Sequence, residues 1–387
     1  MRSLDGRWDD LVIICSTQVW RDIPVVEMQL ARRLATRTPV LFVDPAASPL
    51  HGGQLRPRLE QRSPRLAVLR TPGLPGPNRP VVRDVVHRMV VRSVRHAVRA
   101  LGSPRVRAMV VARPPGPFGA VETDRTVSLV TDDFVAGASL MGVDRGYLER
   151  SVEQMAARSD VVLAVSEPLA DQWRLLAPHA EIGLLPNGVD VDLYQDVDRL
   201  ARPDDIELPD PLVGCVGQLN RRLDPKLLDE IADRGRSVLL IGPLTSSTDR
   251  TWFDAFVARP NVQWLGAKPH DELPAYLGAL TVGVVPYTQS PFNQASFPLK
   301  TLEYLAAGRA AVSTDLPAVR WIDSPLIVTG DSPADFADRV EEELARPQTP
   351  ELVRARRALA TEHSWDARAA SLAAVLGLDD APREDLK

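Results

Sequence analysis

The chain has 387 residues, 44% of them apolar and 25% charged, with a formal charge of −5 at neutral pH. Such a composition excludes wholesale disorder and fibrous classes. At roughly 100–200 residues per domain, the length predicts two domains, each large enough for its own core. No apolar run reaches the ~18–20 residues of a membrane span. The first residues, MRSLDGRWDDLVIICS, carry acids before a short apolar run and lack a small-residue cleavage site, so no signal peptide is expected. Cys15 and Cys215 are too few for a disulfide framework or a zinc site and fit a reducing, cytoplasmic setting. The charge is uneven. Between Arg56 and Arg113 stand fourteen arginines against two acids, Glu60 and Asp84, or about +12, so the remainder carries about −17.

Strand and helix patterns alternate along the first half. Leu11–Cys15 is a continuous apolar run, as in a strand buried on both faces. An amphipathic stretch follows over about Val25–Thr36, then a second strand at Val40–Val43. Further strands are expected at Leu66–Leu69, Met109–Val111, Val127–Val130, Val161–Val165 and Ile182–Leu185. Helices are expected at about Val81–Leu101, Arg145–Arg158 and Pro168–Leu176, with Pro-rich loops at Pro45–Pro64 and Thr71–Pro80. The pattern restarts near Leu212, with strands at Val213–Val216, Val238–Ile241, Val262–Leu265, Val282–Val285, Ala310–Ser313 and Leu326–Val328. Helices between them include Pro225–Asp233, Asp271–Leu277 and Leu299–Ala307.

This βαβ alternation predicts an α/β fold of two Rossmann-like, doubly wound parallel-sheet domains facing a cleft. The expected bounds are 1–195 for the first domain and 212–365 for the second. An acidic, proline-bearing linker at 196–211 joins them. A helix over 366–378 is expected to return to the first domain, ahead of a frayed tail at 379–387. Ligands of such sheets bind beyond the carboxyl ends of the strands, in the following loops.

Several common motifs are absent: there is no GxGxxG after the first strand, no GxxxxGK[ST], no GxSxG and no HExxH. Three other segments draw attention. In YTQSPFNQASFPLKTLEYLAAGRAAVSTDL (287–316), a polar loop precedes a helix that starts near Phe297–Leu299 and stops at Gly308. Lys300 and Glu303, three apart, share one face of it. Free backbone N–H groups and a lysine suit a phosphate, and a carboxylate one turn on accepts hydrogen bonds from vicinal ribose hydroxyls. An ordinary surface ion pair between Lys300 and Glu303 fits the same spacing. In LLPNGVDVDLY (184–194), a strand ends in a tight Pro-Asn-Gly turn. In VGCVGQLNRRLD (213–224), Gly217 follows a strand and lets a ligand near the backbone, with Arg221 and Arg222 in reach of an anion; a plain capping turn fits too.

In order and spacing these segments resemble the GT-B glycosyltransferases, and in particular retaining glycosyltransferase family 4 with its bacterial surface-polysaccharide branch, such as the teichuronic acid enzymes. The resemblance rests on PNGVDVDLY, on PLKTLEYLAAGRAAVST and on EHSW at 362–365. It implies transfer of a sugar from a nucleoside-diphosphate sugar, with retention, to a polysaccharide, lipid-linked or small-molecule hydroxyl acceptor. It requires no cofactor and no metal. Residue by residue, it implies that Glu303 holds the ribose, that Ser296 and Phe297 face the phosphates, and that Lys300 and Gly217 meet the diphosphate. Leu265 and Gly266 lie where backbone groups would meet the base. The chain departs from the pattern in two places. Ala295 stands where the first motif glutamate belongs, so the amides of Asn293 or Gln294 are expected to take the donor-sugar contact. Gln218 stands where a basic residue is usual, which passes the phosphate contact to Arg221 or Arg222. The first domain is expected to bind the acceptor, with Asp132 and Asp133 after the Val127–Val130 strand as catalytic candidates beside Lys300.

Arg83, Arg88, Arg92, Arg95 and Arg99 recur at spacings of 5, 4, 3 and 4, which is read as one basic helical stripe suited to an anionic membrane surface from the cytoplasmic side. No aromatic residues interleave these arginines, so nucleic acid is not an expected partner. Two alternatives remain: a nucleotide-sugar epimerase of the same fold, and a non-catalytic binding subunit, to which Ala295 points.

Overall fold

In the computed structural model the described residues are 8–21, 25–48, 50, 56–76 and 80–378. They divide into two compact units, Met1–Pro186 with Trp365–Lys387, and Asn187–Ser364. The expected tail at 379–387 lies outside the described residues.

The first unit runs β1 (Asp10–Cys15), α1 (Val26–Leu34), β2 (Val40–Val43), β3 (Arg58–Ser63), β4 (Leu66–Arg70), α2 (Pro80–Ala100), β5 (Arg105–Val111) and β6 (Thr126–Val130). It continues with α3 (Ala138–Met141), α4 (Arg145–Ala156), β7 (Val161–Ala164), α5 (Glu167–Leu176) and β8 (Glu181–Leu184). Its eight strands lie in the order β3-β4-β2-β1-β5-β6-β7-β8. Every pair is parallel except β3 with β4. The continuous apolar runs are central strands covered on both faces: Leu11 to Ile14 and Val40 to Phe42 have no exposed surface. β3 falls inside the stretch expected as a Pro-rich loop. Its sequence, RLEQRS, has one apolar residue because it is an edge strand, half open to water.

Folding pairs part of the basic segment with acids. Glu60 on β3 takes Arg62 at 2.7 Å and Arg58 at 3.4 Å. Arg70 reaches Asp44 at 2.5 Å, and Arg105 reaches Asp124 at 2.9 Å. Arg95 donates to the Ala120 carbonyl at 2.6 Å. The expected single stripe on α2 does not form. A five-residue step turns a helix by about 140°, so Arg83 points away from Arg88, Arg92, Arg95 and Arg99.

The second unit runs β9 (Leu212–Val216), α6 (Pro225–Asp233), β10 (Ser237–Ile241), α7 (Arg250–Val257), β11 (Val262–Trp264), α8 (Leu273–Ala279) and β12 (Val282–Val285). It continues with α9 (Pro291–Ala295), α10 (Leu299–Ala306), β13 (Ala310–Ser313), α11 (Pro317–Ile322), β14 (Ile327–Thr329), α12 (Pro333–Ala345) and α13 (Pro350–Glu362). The sheet is all parallel, in the order β11-β10-β9-β12-β13-β14. The order reverses at β9/β12, which makes this the crevice where ligands of such sheets bind.

The stretch expected as a free linker, 196–211, counts with the second unit. Gln263 accepts from the Glu207 N–H at 3.0 Å and donates to the Asp205 carbonyl at 2.8 Å. Asp205 also takes Lys268 at 2.5 Å and the Tyr276 hydroxyl at 3.1 Å. Side-chain contacts of this kind hold a segment without any hydrophobic period to reveal it. The last helix, α14 (Trp365–Val375), belongs to the first unit, where Trp365, Ala369 and Leu372 join Met28 and Leu30 in the core.

Candidate active site

Three glycines line the carboxyl ends of β9, β10 and β11. Gly217, Gly242 and Gly266 all have positive φ, at 140°, 143° and 70°. The Gly217 N–H donates to the Ile241 carbonyl at 2.8 Å, and the Gly242 N–H to the Gly266 carbonyl at 2.7 Å. A Cβ on Gly242 would sit 1.7 Å from the Gly217 carbonyl oxygen, so no side chain fits there. A Cβ on Gly266 would meet nothing within 4 Å, which leaves open space over the Leu265–Gly266 backbone. Sequence reading finds Gly217 and Gly266 and misses Gly242, whose constraint is a tertiary contact with another strand end.

α10 begins beside this row. A Cβ on Gly217 would lie 3.6 Å from Lys300 Cε, so the lysine stem passes over the glycine. Lys300 Nζ and Glu303 Oε2 are 2.6 Å apart, so the spacing of three does form an ion pair. The pair stands at an uncapped helix start: Pro298 occupies the N-cap and no side chain accepts from the first turn. The ammonium has two further N–H donors and the carboxylate a second oxygen. Cys215, beneath on β9, has its thiol pushed up to about 12 by burial, with the Lys300 charge pulling the other way.

Tyr304 holds the helix against the sheet, and Tyr194 lies close to Glu303. The Tyr304 hydroxyl accepts from the Val216 N–H at 3.0 Å and donates to the Val284 carbonyl at 3.3 Å. Tyr194 ends the short helical turn after the Pro-Asn-Gly segment, and its phenol is 1% exposed. Burial, then the charge of the neighbouring Glu303, raises that phenol well above its ordinary range. The same segment sends Asn187 Nδ2 to the Phe297 carbonyl at 3.4 Å. The PNGVDVDLY stretch thus braces the loop before α10 and backs its carboxylate.

The loop itself is organised by Arg222. Its Nε donates to Asn293 Oδ1 at 2.7 Å and its Nη2 to Ser296 Oγ at 2.9 Å. The guanidinium also lies over the Tyr287 and Phe292 rings, at 4.5 and 5.1 Å. Asn293 has no exposed surface, and its amide donates to the Arg222 and Thr288 carbonyls at 3.0 and 2.9 Å. This corrects the expectation for Asn293: it is the post that fixes the loop, with no surface to offer a donor sugar. Gln294 is half-buried and donates to Gln289. Ala295, Ser296 and Phe297 are buried, and Phe297 packs edge-on to Trp321. Arg221 is exposed, so of the two arginines it is the one at the surface.

In the first unit Asp132 and Asp133 follow β6. Asp133 Oδ1 accepts from the Val135 and Ala136 N–H groups at 3.1 and 2.8 Å, and Oδ2 from Gln172 at 3.4 Å. Asp133 is therefore a turn cap, and Asp132 beside it is half-buried. Among the described residues no three His, Cys, Asp or Glu side chains cluster as a metal site would require.

Comparison with known proteins places this geometry. Residues 210–346 match the family described as Glycosyl transferases group 1. Over 238 residues the chain is 29% identical to TuaH of Bacillus subtilis (strain 168), named as a teichuronic acid biosynthesis glycosyltransferase. That match spans 59% of this chain and 60% of TuaH. Sucrose-phosphate synthase from Thermosynechococcus elongatus superposes with a TM-score of 0.71 at 17% identity, covering 95% of this chain and 98% of that one. HepE of Anabaena, solved with UDP and glucose, gives 0.66 at 13% identity, over 96% of this chain and 100% of that one. The expected fold, two Rossmann-like α/β units of GT-B type, is borne out, as is the resemblance to GT-B glycosyltransferases; none of these matches reaches family 4.

Gly242→Ala is expected to lower the unfolding free energy by at least ~2 kcal/mol, since strained backbone and the Gly217 clash add. Urea unfolding checks it, and an unchanged midpoint contradicts the glycine row as described.

Proposed function

We propose that this chain is a glycosyltransferase that moves a sugar from a nucleoside-diphosphate sugar to a hydroxyl acceptor, with retention at the anomeric carbon. The observation that carries the proposal is the Lys300–Glu303 pair at the uncapped start of α10, directly over Gly217. In this reading the diphosphate lies over Gly217, Lys300 turns an N–H to it, and the first-turn N–H groups of α10 face its oxygens. The second Glu303 oxygen accepts from the ribose hydroxyls, with Tyr194 behind it. The base lies over Leu265 and Gly266. The bond from the anomeric carbon to the diphosphate oxygen breaks as the acceptor oxygen bonds that carbon. The acceptor proton passes to the leaving phosphate, so no separately placed base is needed. Catalysis is then positioning and stabilisation of the leaving diphosphate.

The group 1 match over 210–346 supports transfer over epimerisation. The UDP in HepE makes UDP the first probe. TuaH supports a surface-polysaccharide acceptor. Asp132 is the loop carboxylate of the first unit assigned to the acceptor hydroxyl. Lys300→Ala and Glu303→Ala should each weaken nucleoside-diphosphate binding about tenfold, the worth of one charge-assisted contact. Calorimetry reads this directly. Unchanged affinity in both variants overturns the site.

The proposal includes work in the cytoplasm at an anionic membrane surface, now carried by the exposed Arg88, Arg92 and Arg99 of α2. Among the described residues no helix is long and apolar enough to cross a membrane. Vesicles containing phosphatidylglycerol should cosediment the protein in low salt and release it at high salt. Absence of salt-sensitive binding removes this contact.

A further inference from the structure

The first sheet has its own reversal of order at β1/β5, and a cavity of about 220 Å³ opens at the carboxyl ends of β1, β2 and β5. One face of α2 forms a wall. Arg83, Val86, His87 and Val90 lie within about a third of a helical turn of one another, which is why Arg83 leaves the basic stripe. Arg113, after β5, and Tyr147, on α4, complete the cationic side.

The charge of this lining is unbalanced. Its one carboxylate, Asp44, is 3% exposed and already used: it accepts from the Trp20 N–H at 2.8 Å and from Arg70 at 2.5 Å. His87 is held neutral near pH 7, because burial lowers its pKa and the Arg158 charge lowers it further, against Asp84. Cys15 stays a thiol, pushed up to about 12 by burial. Two arginines therefore set the sign. The Arg83 guanidinium lies over the Tyr147 ring at 3.7 Å, which keeps its in-plane N–H donors free of the ring. Arg113 keeps some surface in contact with water, while its packed surroundings lower its pKa from the ordinary arginine value, and among the described residues no carboxylate forms an ion pair with it. Elsewhere in the segment Arg58, Arg62, Arg70, Arg105 and Arg107 all meet acids. An arginine pair without acids, beside apolar valines in a cavity, fits a ligand with an oxyanion next to a non-polar surface.

We propose that this cavity selects an acidic acceptor, whose carboxylate or phosphate is held by Arg83 and Arg113 while its non-polar part lies on Val86 and Val90. The inference rests on the glycosyltransferase reading for the word acceptor, and on the first unit alone for the site. It makes charge, rather than hydroxyl pattern, the first filter on what is glycosylated.

The test uses matched probes that differ only in the anion. 4-Nitrophenyl β-glucuronide against 4-nitrophenyl β-glucoside reads the carboxylate, and glucose 6-phosphate against glucose reads the phosphate. Calorimetry on the full chain should show one charged member binding about tenfold tighter than its neutral partner. That preference should collapse in Arg83→Gln and in Arg113→Gln. Circular dichroism of both variants separates loss of the anion contact from loss of the fold. Nucleoside-diphosphate binding, a property of the second unit, should be unchanged in both variants. Equal binding of charged and neutral members in the wild type overturns the inference, as does a preference that survives in Arg113→Gln. Loss of the nucleotide arm with the anion preference intact overturns the glycosyltransferase reading instead.

Discussion

β9 and β12 pair only through Val213↔Val282 and Gly214↔Gly283 before they part. The Tyr304 hydroxyl fills the gap, taking the Val216 N–H and giving its proton to the Val284 carbonyl. Its ring lies on Gly283, where a Cβ would come within 2.2 Å of Tyr304 Cγ. This one contact fixes α10 against the sheet where the strand order reverses. Lys300 lies one turn before Tyr304, and Glu303 is its neighbour, so both inherit their positions from the phenol. A glycine on the strand and a tyrosine on the helix are two halves of one constraint. Leaving either backbone group unpaired in that interior would cost ~1–3 kcal/mol.

Around that anchor, polar residues do work that apolar packing does elsewhere. Arg222 ties Asn293 to Ser296, and Asn187 reaches the Phe297 carbonyl. Together they brace the loop before α10. Such bracing suits a site whose task is to place a leaving group, since less order then has to be gained on binding. The same logic explains Asn293: an amide that organises a loop from inside cannot also meet a sugar outside it.

The sheets were legible because parallel strands buried on both faces read as plain apolar runs. LVIIC, VLFV and VVLA each fall on a strand. β3 was hidden because an edge strand such as RLEQRS has water on one side and charges along it. The Lys300–Glu303 face followed from helical spacing alone. Gly242, Tyr194 and the inward turn of Asn293 depend on which strand or loop lies opposite, and spacing along one chain holds no record of that. Arg83 is of another kind: a step of five breaks the run of steps of three and four, and the rotation it adds carries Arg83 to a different face. The +12 segment divides accordingly, into arginines that pair with acids, a basic face on α2, and two that turn to a cavity.

Hydrogen exchange read by mass spectrometry, with and without saturating UDP, ADP and GDP, tests the central claim most directly. At least one of these should slow exchange in peptides spanning 214–222, 264–268 and 296–304, while β6, β7 and β8 stay unchanged. No slowing in those three peptides with any of the nucleotides would contradict a diphosphate site at the start of α10.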